Sequence, residues 1–271
     1  MKIGMGLRNM GAAADRDTLT HCAVAAEEAG IDSLWVFDHL AIPPEESEGS
    51  GGLYLEPLAV LAYIAGCTRH IALGTGVLVL PYRPALLTAK WLATIQQLSG
   101  GRLLLGAAPG WMSAEFKALG IDRTRRGVIT DETLAFIHAC FADDQVETND
   151  QQFLFRPRPV RPPIFVGGAG EHAIKRALTY GDGWIPIGKE PTELAPLISD
   201  YRERAVAADK PAPEIVTFSQ LDSDDLQAAR VRVNAFATAG VDRLIWMCRY
   251  DSADHCRAEL EKIQPLLDDA E

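Results

Sequence analysis

The chain has 271 residues, 48% hydrophobic and 23% charged, which is an ordinary composition for a globular protein. Its 26 basic and 37 acidic residues give a net charge of -11, which argues against non-specific binding to nucleic acid or anionic membranes. No uncharged run reaches the roughly 20 apolar residues of a membrane span, and the opening MKIGMGL reads as a strand rather than a secretory signal. We therefore expect a cytoplasmic protein without membrane or nucleic-acid partners.

Short apolar runs alternate with segments of helical periodicity along the chain. The strands are predicted over residues 2–7, 33–37, 71–77, 102–107, 163–166, 184–187, 214–220 and 243–248. The helices that follow them are predicted over residues 17–29, 56–67, 84–98, 171–180, 192–208, 224–239 and 252–267, with Asp17 as the N-cap of the first. The polar segment 43–52, which contains EESEGSGG, is typical of a mobile loop.

The alternation is interrupted once, between residues 113 and 163. A short helix, a longer helix over 124–141 and a segment typical of a small surface hairpin, DDQVETNDQQFLFRP, fill this interval. Eight strand-helix units in about 250 residues favour a closed barrel over an open sheet. We therefore predict a single (β/α)8 TIM barrel domain over residues 1–271, with a short insertion between its fourth and fifth strands.

Several strand ends carry unusual residues, and in such a barrel the carboxyl ends of all strands share one mouth. The second strand runs into WVFDHL, which places Asp38 and His39 there. An imidazole at this position is typical of a proton carrier or hydrogen-bond donor. Alternatively, Asp38 caps a loop and His39 only fills space, but the position at a barrel strand end favours the functional interpretation.

The third and fourth strand ends leave more than one interpretation open. In LGTGV, Gly74 and Gly76 indicate either a close approach by a ligand or close packing. In GAAPGWMSAEF, Gly110 lies in a turn and Trp111 is a candidate aromatic wall for a planar ligand. Glu115 is either an acid of the site or a solvated helix residue, and solvation is the favoured interpretation.

The fifth strand runs into the glycine-rich segment GGAGEHAIKRAL. Gly167, Gly168 and Gly170 leave backbone amides unshielded where a helix begins, and a helix N-terminus with free N–H groups binds phosphate. A turn needed only for tight packing is the alternative. The segment is not a P-loop, since no Lys-Ser or Lys-Thr follows its glycines. Its glycine spacing is not that of GxGxxG either.

Other classes of site have little support in the sequence. The six histidines show no HExxH or HxH pairing, so we expect no metal site. The five cysteines are scattered without CxxC spacing and are typical of buried free thiols. A serine hydrolase is disfavoured because the GxSxG motif is missing.

Taken together, KIGMGL, SLWVFDHL, IALGTGVLVLPYRPALLTAK, GRLLLGAAPGWMSAEFKALG, RPPIFVGGAG and AGVDRLIWM resemble the bacterial luciferase-like superfamily over nearly the whole chain. Within it, the Asp-His pair and the Gly-Trp segment resemble most the branch that uses the deazaflavin coenzyme F420. The resemblance implies a catalytic imidazole at His39, cofactor contact by Asp38, and a non-proline cis peptide at Gly76-Val77 against the ring. It also implies phosphate binding by the run Gly167, Gly168, Ala169 and Gly170, with Gly110 and Trp111 lining the substrate side.

The chain also departs from the family pattern. Trp111 occupies the position where some sugar-phosphate-oxidising relatives have a glutamate, so a sugar phosphate is disfavoured as substrate. The function predicted is hydride transfer between coenzyme F420 and a small organic molecule, by a protein that resembles dimeric relatives and is expected to be a homodimer. The alternatives are an FMN-dependent monooxygenase supplied by a separate reductase, and a flavin-binding barrel without catalytic activity. The loop 43–52 is predicted to become ordered on ligand binding.

Overall fold

The computed structural model of the protein describes residues 1–268, so the predicted domain boundary at residue 271 lies outside the described residues. Its strands are β1 (Lys2–Gly6), β2 (Ser33–Val36), β3 (Ala72–Thr75), β4 (Leu78–Val79), β5 (Leu103–Ala108), β6 (Gln145–Thr148), β7 (Gln151–Leu154), β8 (Ile164–Gly167), β9 (Gly183–Ile185), β10 (Glu214–Ser219) and β11 (Arg243–Trp246). The helices are α1 (Arg16–Glu28), α2 (Pro57–Cys67), α3 (Ala85–Leu98), α4 (Ser113–Ala118), α5 (Arg126–Ala142), α6 (Glu171–Tyr180), α7 (Pro191–Ala207), α8 (Leu226–Thr238) and α9 (Ala253–Asp268).

The strands form a closed parallel barrel surrounded by helices, which confirms the predicted fold. The order around the ring is β3, β2, β1, β11, β10, β9, β8 and β5, and pairing of β3 with β5 through Leu73 and Leu103 closes it. The short strand β4 continues β3 after an interruption and pairs with the end of β5. The antiparallel hairpin β6–β7 lies in the insertion between the fourth and fifth barrel strands, as predicted.

The barrel strands are buried on both faces because helices cover their outer side, which explains why they read as continuous apolar runs. Every residue of β2, β5, β8 and β11 is buried. The interior contains a cluster of large side chains that includes Trp35, Phe165 and Ile245. Gly74 makes room for it, since a Cβ there would lie 2.5 Å from the Trp35 ring. Of the two interpretations of Gly74, close packing is therefore the one the structure supports.

Two predicted boundaries were wrong for local reasons. Helix α1 is capped by Asp15 rather than Asp17, because the Asp15 carboxylate accepts the backbone N–H groups of Asp17 and Thr18. The third strand does not continue to residue 77, because the ladder is interrupted after Thr75. No helix within residues 1–268 is long and apolar enough to span a membrane.

Candidate active site

The carboxyl ends of β2, β3, β5 and β8 surround a cavity of about 270 Å³. The predicted site residues that line it are Asp38, His39, Gly76, Val77, Gly110, Trp111, Gly167 and Gly168. Ala169 and Gly170 do not line this cavity; they are exposed at the start of α6, just beyond Gly168. The structure thus brings the predicted residues to one mouth, while their roles in binding and catalysis stay predictions.

Glu115 fixes the orientation of His39. The Glu115 carboxylate lies 3.1 Å from Nδ1 of His39 and also accepts the Tyr82 hydroxyl at 2.8 Å. Its other oxygen accepts the backbone N–H groups of Leu40 and Ala41, the two residues that follow the histidine. One carboxylate therefore holds both the imidazole and the turn that carries it.

The expectation that Glu115 is solvated was wrong. The residue is fully buried, because α4 packs Phe116 inward and turns the glutamate toward the β2 end. Burial alone would raise its pKa, but the hydrogen bonds from His39, Ala41, Leu40 and Tyr82 outweigh that effect and lower the pKa to about 2. Glu115 is therefore an ionised acceptor at neutral pH. The sequence signal available was the position of Glu115 in the first helical turn after the end of the fourth barrel strand.

Asp38 is buried in the wall of the cavity, and its carboxylate is engaged with protein groups. Its carboxylate forms a bidentate ion pair with Arg83 at 2.7 and 2.8 Å and accepts the Val79 N–H at 2.8 Å. Burial raises the pKa of Asp38, and the Arg83 hydrogen bonds offset part of that rise. Arg83 also binds Glu56, the N-cap residue of α2. Asp38 thus connects the β2 end to β4 directly and to α2 through Arg83 and Glu56. The sequence analysis did not predict that Arg83 and Glu56 take part in this connection.

The peptide bond between Gly76 and Val77 is cis, as the family resemblance implied. It lies in the interruption between β3 and β4, and both residues line the cavity. A Cβ on Gly76 would lie 2.7 Å from the Phe218 ring, and one on Gly167 would lie 2.9 Å from the Val77 side chain. Gly76 and Gly167 therefore allow the cavity wall to approach its neighbours closely.

Aromatic rings border the imidazole on the solvent side. The Tyr54 ring centroid lies 5.0 Å from that of His39, and the Trp111 centroid lies 6.3 Å away, both in edge-on contact. Trp111 is 61% exposed, so most of its indole surface is available to another planar group. Tyr54 ends the loop that starts at residue 43, and this loop is attached to the β1 end by a hydrogen bond from Gly11 N–H to the Leu53 carbonyl. Ordering of the loop by a ligand stays a prediction.

The N-terminus of α6 is uncapped. No side chain of its N-cap residue, Gly170, is present to accept the first amides, whereas Asp15 and Glu56 do so in α1 and α2. Gly170 has a φ of 76°, and a Cβ at this position would meet nothing within 4 Å. Glu171 in the first turn is paired with Arg204 of α7, which neutralises its charge. The free amides therefore face open space that suits an anion.

A larger hollow of about 680 Å³ lies at the opposite end of the barrel, where the strands begin. The hollow contains Arg202, paired with Asp242, and Glu214, paired with Arg243 of β11. It contains no histidine or cysteine. Since chemistry in such barrels lies at the carboxyl ends of the strands, the cavity there is the better candidate site.

Comparison with known proteins shows similarity to one family of enzymes. The model of the luciferase-like monooxygenase family matches residues 3–268. An F420-dependent glucose-6-phosphate dehydrogenase from Amycolatopsis mediterranei is 31% identical over 212 residues, covering 73% of this chain and 62% of the relative. An F420-dependent hydroxymycolic acid dehydrogenase from Mycobacterium tuberculosis is 30% identical over 228 residues, covering 79% and 61%. A solved monooxygenase from Streptomyces bottropensis shares the fold, with a TM-score of 0.84 at 19% identity over 100% of both chains.

Proposed function

Because the chain belongs to the luciferase-like monooxygenase family and is thus a luciferase-like oxidoreductase, we propose that it transfers a hydride between coenzyme F420 and a small organic substrate. The proposal is supported by the His39 imidazole at the mouth, held by buried Glu115. It is also supported by two F420-dependent relatives that are 30% and 31% identical to this chain. The chain spans about three fifths of the length of those relatives, whose own substrates are therefore not transferred to it.

The residues of the mouth suit a flat, phosphate-bearing cofactor. The uncapped amides at the start of α6, together with Ala169 and Gly170 just before it, would hold the phosphate. Gly76 and Val77 would support one face of the ring, since both line the cavity wall. When bound there, the deazaflavin supplies hydride transfer at carbon 5 of its ring. Trp111 and Gly110 would border the substrate on the other side.

His39 would hold the proton that accompanies the reaction. Ionised Glu115 can only accept, so Nδ1 of His39 is the donor in their hydrogen bond and Nε2 is left for the substrate. The Tyr54 and Trp111 rings border the imidazole, whose side chain stays 21% exposed. A positioned acid-base group of this kind contributes roughly 10²–10⁴-fold to rate.

Asp38 would act as a positioning residue. Its carboxylate is occupied by Arg83 and Val79, so its influence on the cofactor passes through the wall that includes Gly76 and Val77. This proposal modifies the direct cofactor contact that the family resemblance implied. The ionised carboxylate satisfies the Val79 N–H, which would otherwise be a buried donor without a partner.

The test of the cofactor is a parallel titration of the purified protein with F420 and with FMN, followed by quenching of cofactor fluorescence. We expect a Kd of about micromolar order for F420 and at least tenfold weaker binding of FMN. The family is described as one of luciferase-like monooxygenases, which is consistent with the alternative of an FMN-dependent monooxygenase. Tighter binding of FMN than of F420 would support that alternative. Failure of both to bind would contradict the proposal.

Substitution of His39 separates an enzyme from a barrel that only binds flavin. His39→Gln should keep the F420 affinity within about threefold and lower the rate at which loaded protein exchanges hydride with a substrate by at least about 10²-fold. His70→Gln is the matched control, because His70 is exposed at the opposite end of the barrel. If His39→Gln retained the full rate, the imidazole would have no catalytic role.

We also propose a homodimer formed through the surface of α2 and α3. Tyr63, Leu86 and Leu87 expose large apolar side chains on these helices. Apolar surface of this kind is typical of interfaces between copies of a chain. Light scattering after gel filtration should give twice the 29.4 kDa of one chain, and Leu87→Arg should shift the protein toward monomer. A monomeric wild-type protein would contradict this proposal.

A further inference from the structure

Two arginines lie at the rim of the mouth, on the side formed by β1 and β11. Met5 and Trp246 are the last registered pair between these strands, and Arg8 and Arg249 each lie three residues beyond that pair. Parallel strands end on the same side of a barrel, so both guanidinium groups belong to the end that carries His39. Neither residue has a part in the proposed hydride transfer.

Neither arginine has a carboxylate partner. Within residues 1–268, no carboxylate forms an ion pair with Arg8 or Arg249. Arg249 is exposed, and in the amide orientation that satisfies both groups it donates to the neutral side-chain oxygen of Gln220 at 2.8 and 3.1 Å. Arg83 and Arg176 differ, since each binds an aspartate, whereas Arg102 donates to neutral oxygens of the chain. A protein with a net charge of -11 thus keeps two unneutralised cations at its mouth.

Of the two arginines, Arg8 is the one with a buried N–H group that lacks a hydrogen-bond acceptor among the described residues. Its Nε is enclosed by protein atoms and finds no acceptor within the described part of the chain. Its guanidinium lies 6.0 Å from the Tyr250 ring, whose hydroxyl accepts the Arg8 backbone N–H at 2.9 Å. A buried N–H of a charged group without a partner destabilises the fold, so such groups in native proteins normally have an acceptor.

Tyr54 connects Arg8 to the imidazole. Burial and the charge of Glu115 raise the pKa of the Tyr54 phenol, and the positive charge of Arg8 acts on the same phenol to lower it. The Tyr54 ring is also in edge-on contact with His39 at 5.0 Å. Met10, two residues after Arg8, forms a β-bridge with Tyr54, so the segment that carries Arg8 lies next to the ring that contacts His39.

We infer that the substrate carries an oxyanion, a carboxylate or phosphate group, which Arg8 binds while the reacting carbon lies beside His39. The terminal N–H groups of the planar guanidinium match such a group, and the oxyanion supplies the negative charge that no carboxylate of the described residues provides. Arg249 lies at the same end of the barrel but lines a separate hollow with Asp222 and Glu259, so the inference rests on Arg8. The inference deepens the proposed function and rests on it, since it names the class of molecule that the mouth accepts.

The test uses three probes that share a phenyl ring: benzoate, phenyl phosphate and the neutral benzyl alcohol. Binding is measured by NMR titration or calorimetry, first on the protein without cofactor and then on protein saturated with F420. We expect Arg8→Gln to weaken benzoate or phenyl phosphate at least tenfold and to leave benzyl alcohol within twofold. Preference for benzoate assigns a carboxylate substrate, and preference for phenyl phosphate assigns a phosphate monoester.

Two further variants complete the design. Arg69→Gln is the control for loss of one positive charge, because Arg69 is exposed at the other end of the barrel, and it should change none of these affinities. Arg8→Lys keeps the charge without the fork, so its anion affinity should fall between wild type and Arg8→Gln. It also serves as the informative variant if Arg8→Gln does not fold.

The outcomes distinguish failure of the inference from failure of the proposed function on which it rests. If F420 does not bind the wild-type protein, the proposed function fails whatever the probes do. If F420 binds but Arg8→Gln binds both anions as tightly as wild type, the inference alone is overturned. It is equally overturned if Arg8→Gln loses F420 affinity tenfold with the probes unchanged, because Arg8 would then serve the cofactor.

Discussion

Glu115 holds His39 through Nδ1, at 3.1 Å, although the two residues are 76 positions apart in the sequence. The carboxylate is fully buried and ionised, and an ionised carboxylate can only accept hydrogen bonds. In either charge state of the imidazole, Nδ1 must therefore carry a proton. The pair determines which nitrogen faces the mouth, since Nε2 is left without a partner within the Glu115 network.

This relationship predicts the tautomer of neutral His39. The protein with ¹⁵N-labelled histidine should show His39 with Nδ1 protonated and Nε2 unprotonated above the pH at which the imidazole loses its charge. Glu115→Gln should give a mixture of tautomers, because an amide can donate to the ring as well as accept from it. NMR correlation of the ring protons with both nitrogens measures the populations. The His39 signal is assigned from its loss in His39→Gln, and Glu45→Gln, at an exposed loop position, should leave it unchanged.

Glu115 also predicts a change of stability in acid. Its folded-state pKa of about 2 lies below the usual 4.5, so the folded state binds the proton more weakly than the unfolded state does. The stabilisation is complete above pH 4.5 and is lost as the pH falls toward 2, amounting to about 2 kcal/mol lost between pH 6 and pH 3. Glu115→Gln has no such proton to bind. In urea unfolding, the free energies of wild type and Glu115→Gln should therefore converge by about that amount over this interval, and a constant difference would contradict the assignment.

The sequence predicted most of the fold and the candidate residues that meet at the mouth, and it failed where a partner is distant along the chain. Strand runs such as LLLGAA are apolar because both faces are buried, so periodicity and length identify the barrel. Asp38 and His39 were found because they follow a strand directly. Arg83 and Glu115 were not assigned their contacts, because an arginine or glutamate on a helical segment is usually solvated and only the closed barrel brings each to the β2 end.

The buried ion pair of Asp38 and Arg83 predicts a large stability effect. Asp38→Asn leaves the guanidinium with Glu56 as its remaining carboxylate and weakens the acceptor of the Val79 N–H. We expect the free energy of unfolding to fall by roughly 3 kcal/mol, the lower end for removing one partner of a buried pair. Arg204→Gln is the control, because its pair with Glu171 is at the surface and should contribute less than about 1 kcal/mol. Urea denaturation at pH 7 measures both, and equal effects would show that Asp38 is not a structural anchor.

The uncapped start of α6 predicts a charge effect at Ala169. This residue is exposed and is not a glycine, so a side chain is accommodated there without change of backbone. Ala169→Asp and Ala169→Asn have side chains of equal size and differ only in charge. If the free amides hold the cofactor phosphate, the aspartate should weaken F420 binding about tenfold more than the asparagine does, because it places a negative charge beside the anion. The difference should shrink as salt is added. A deazaflavin without its phosphate should bind both variants equally, and a charge effect that persists with that ligand would place the phosphate elsewhere.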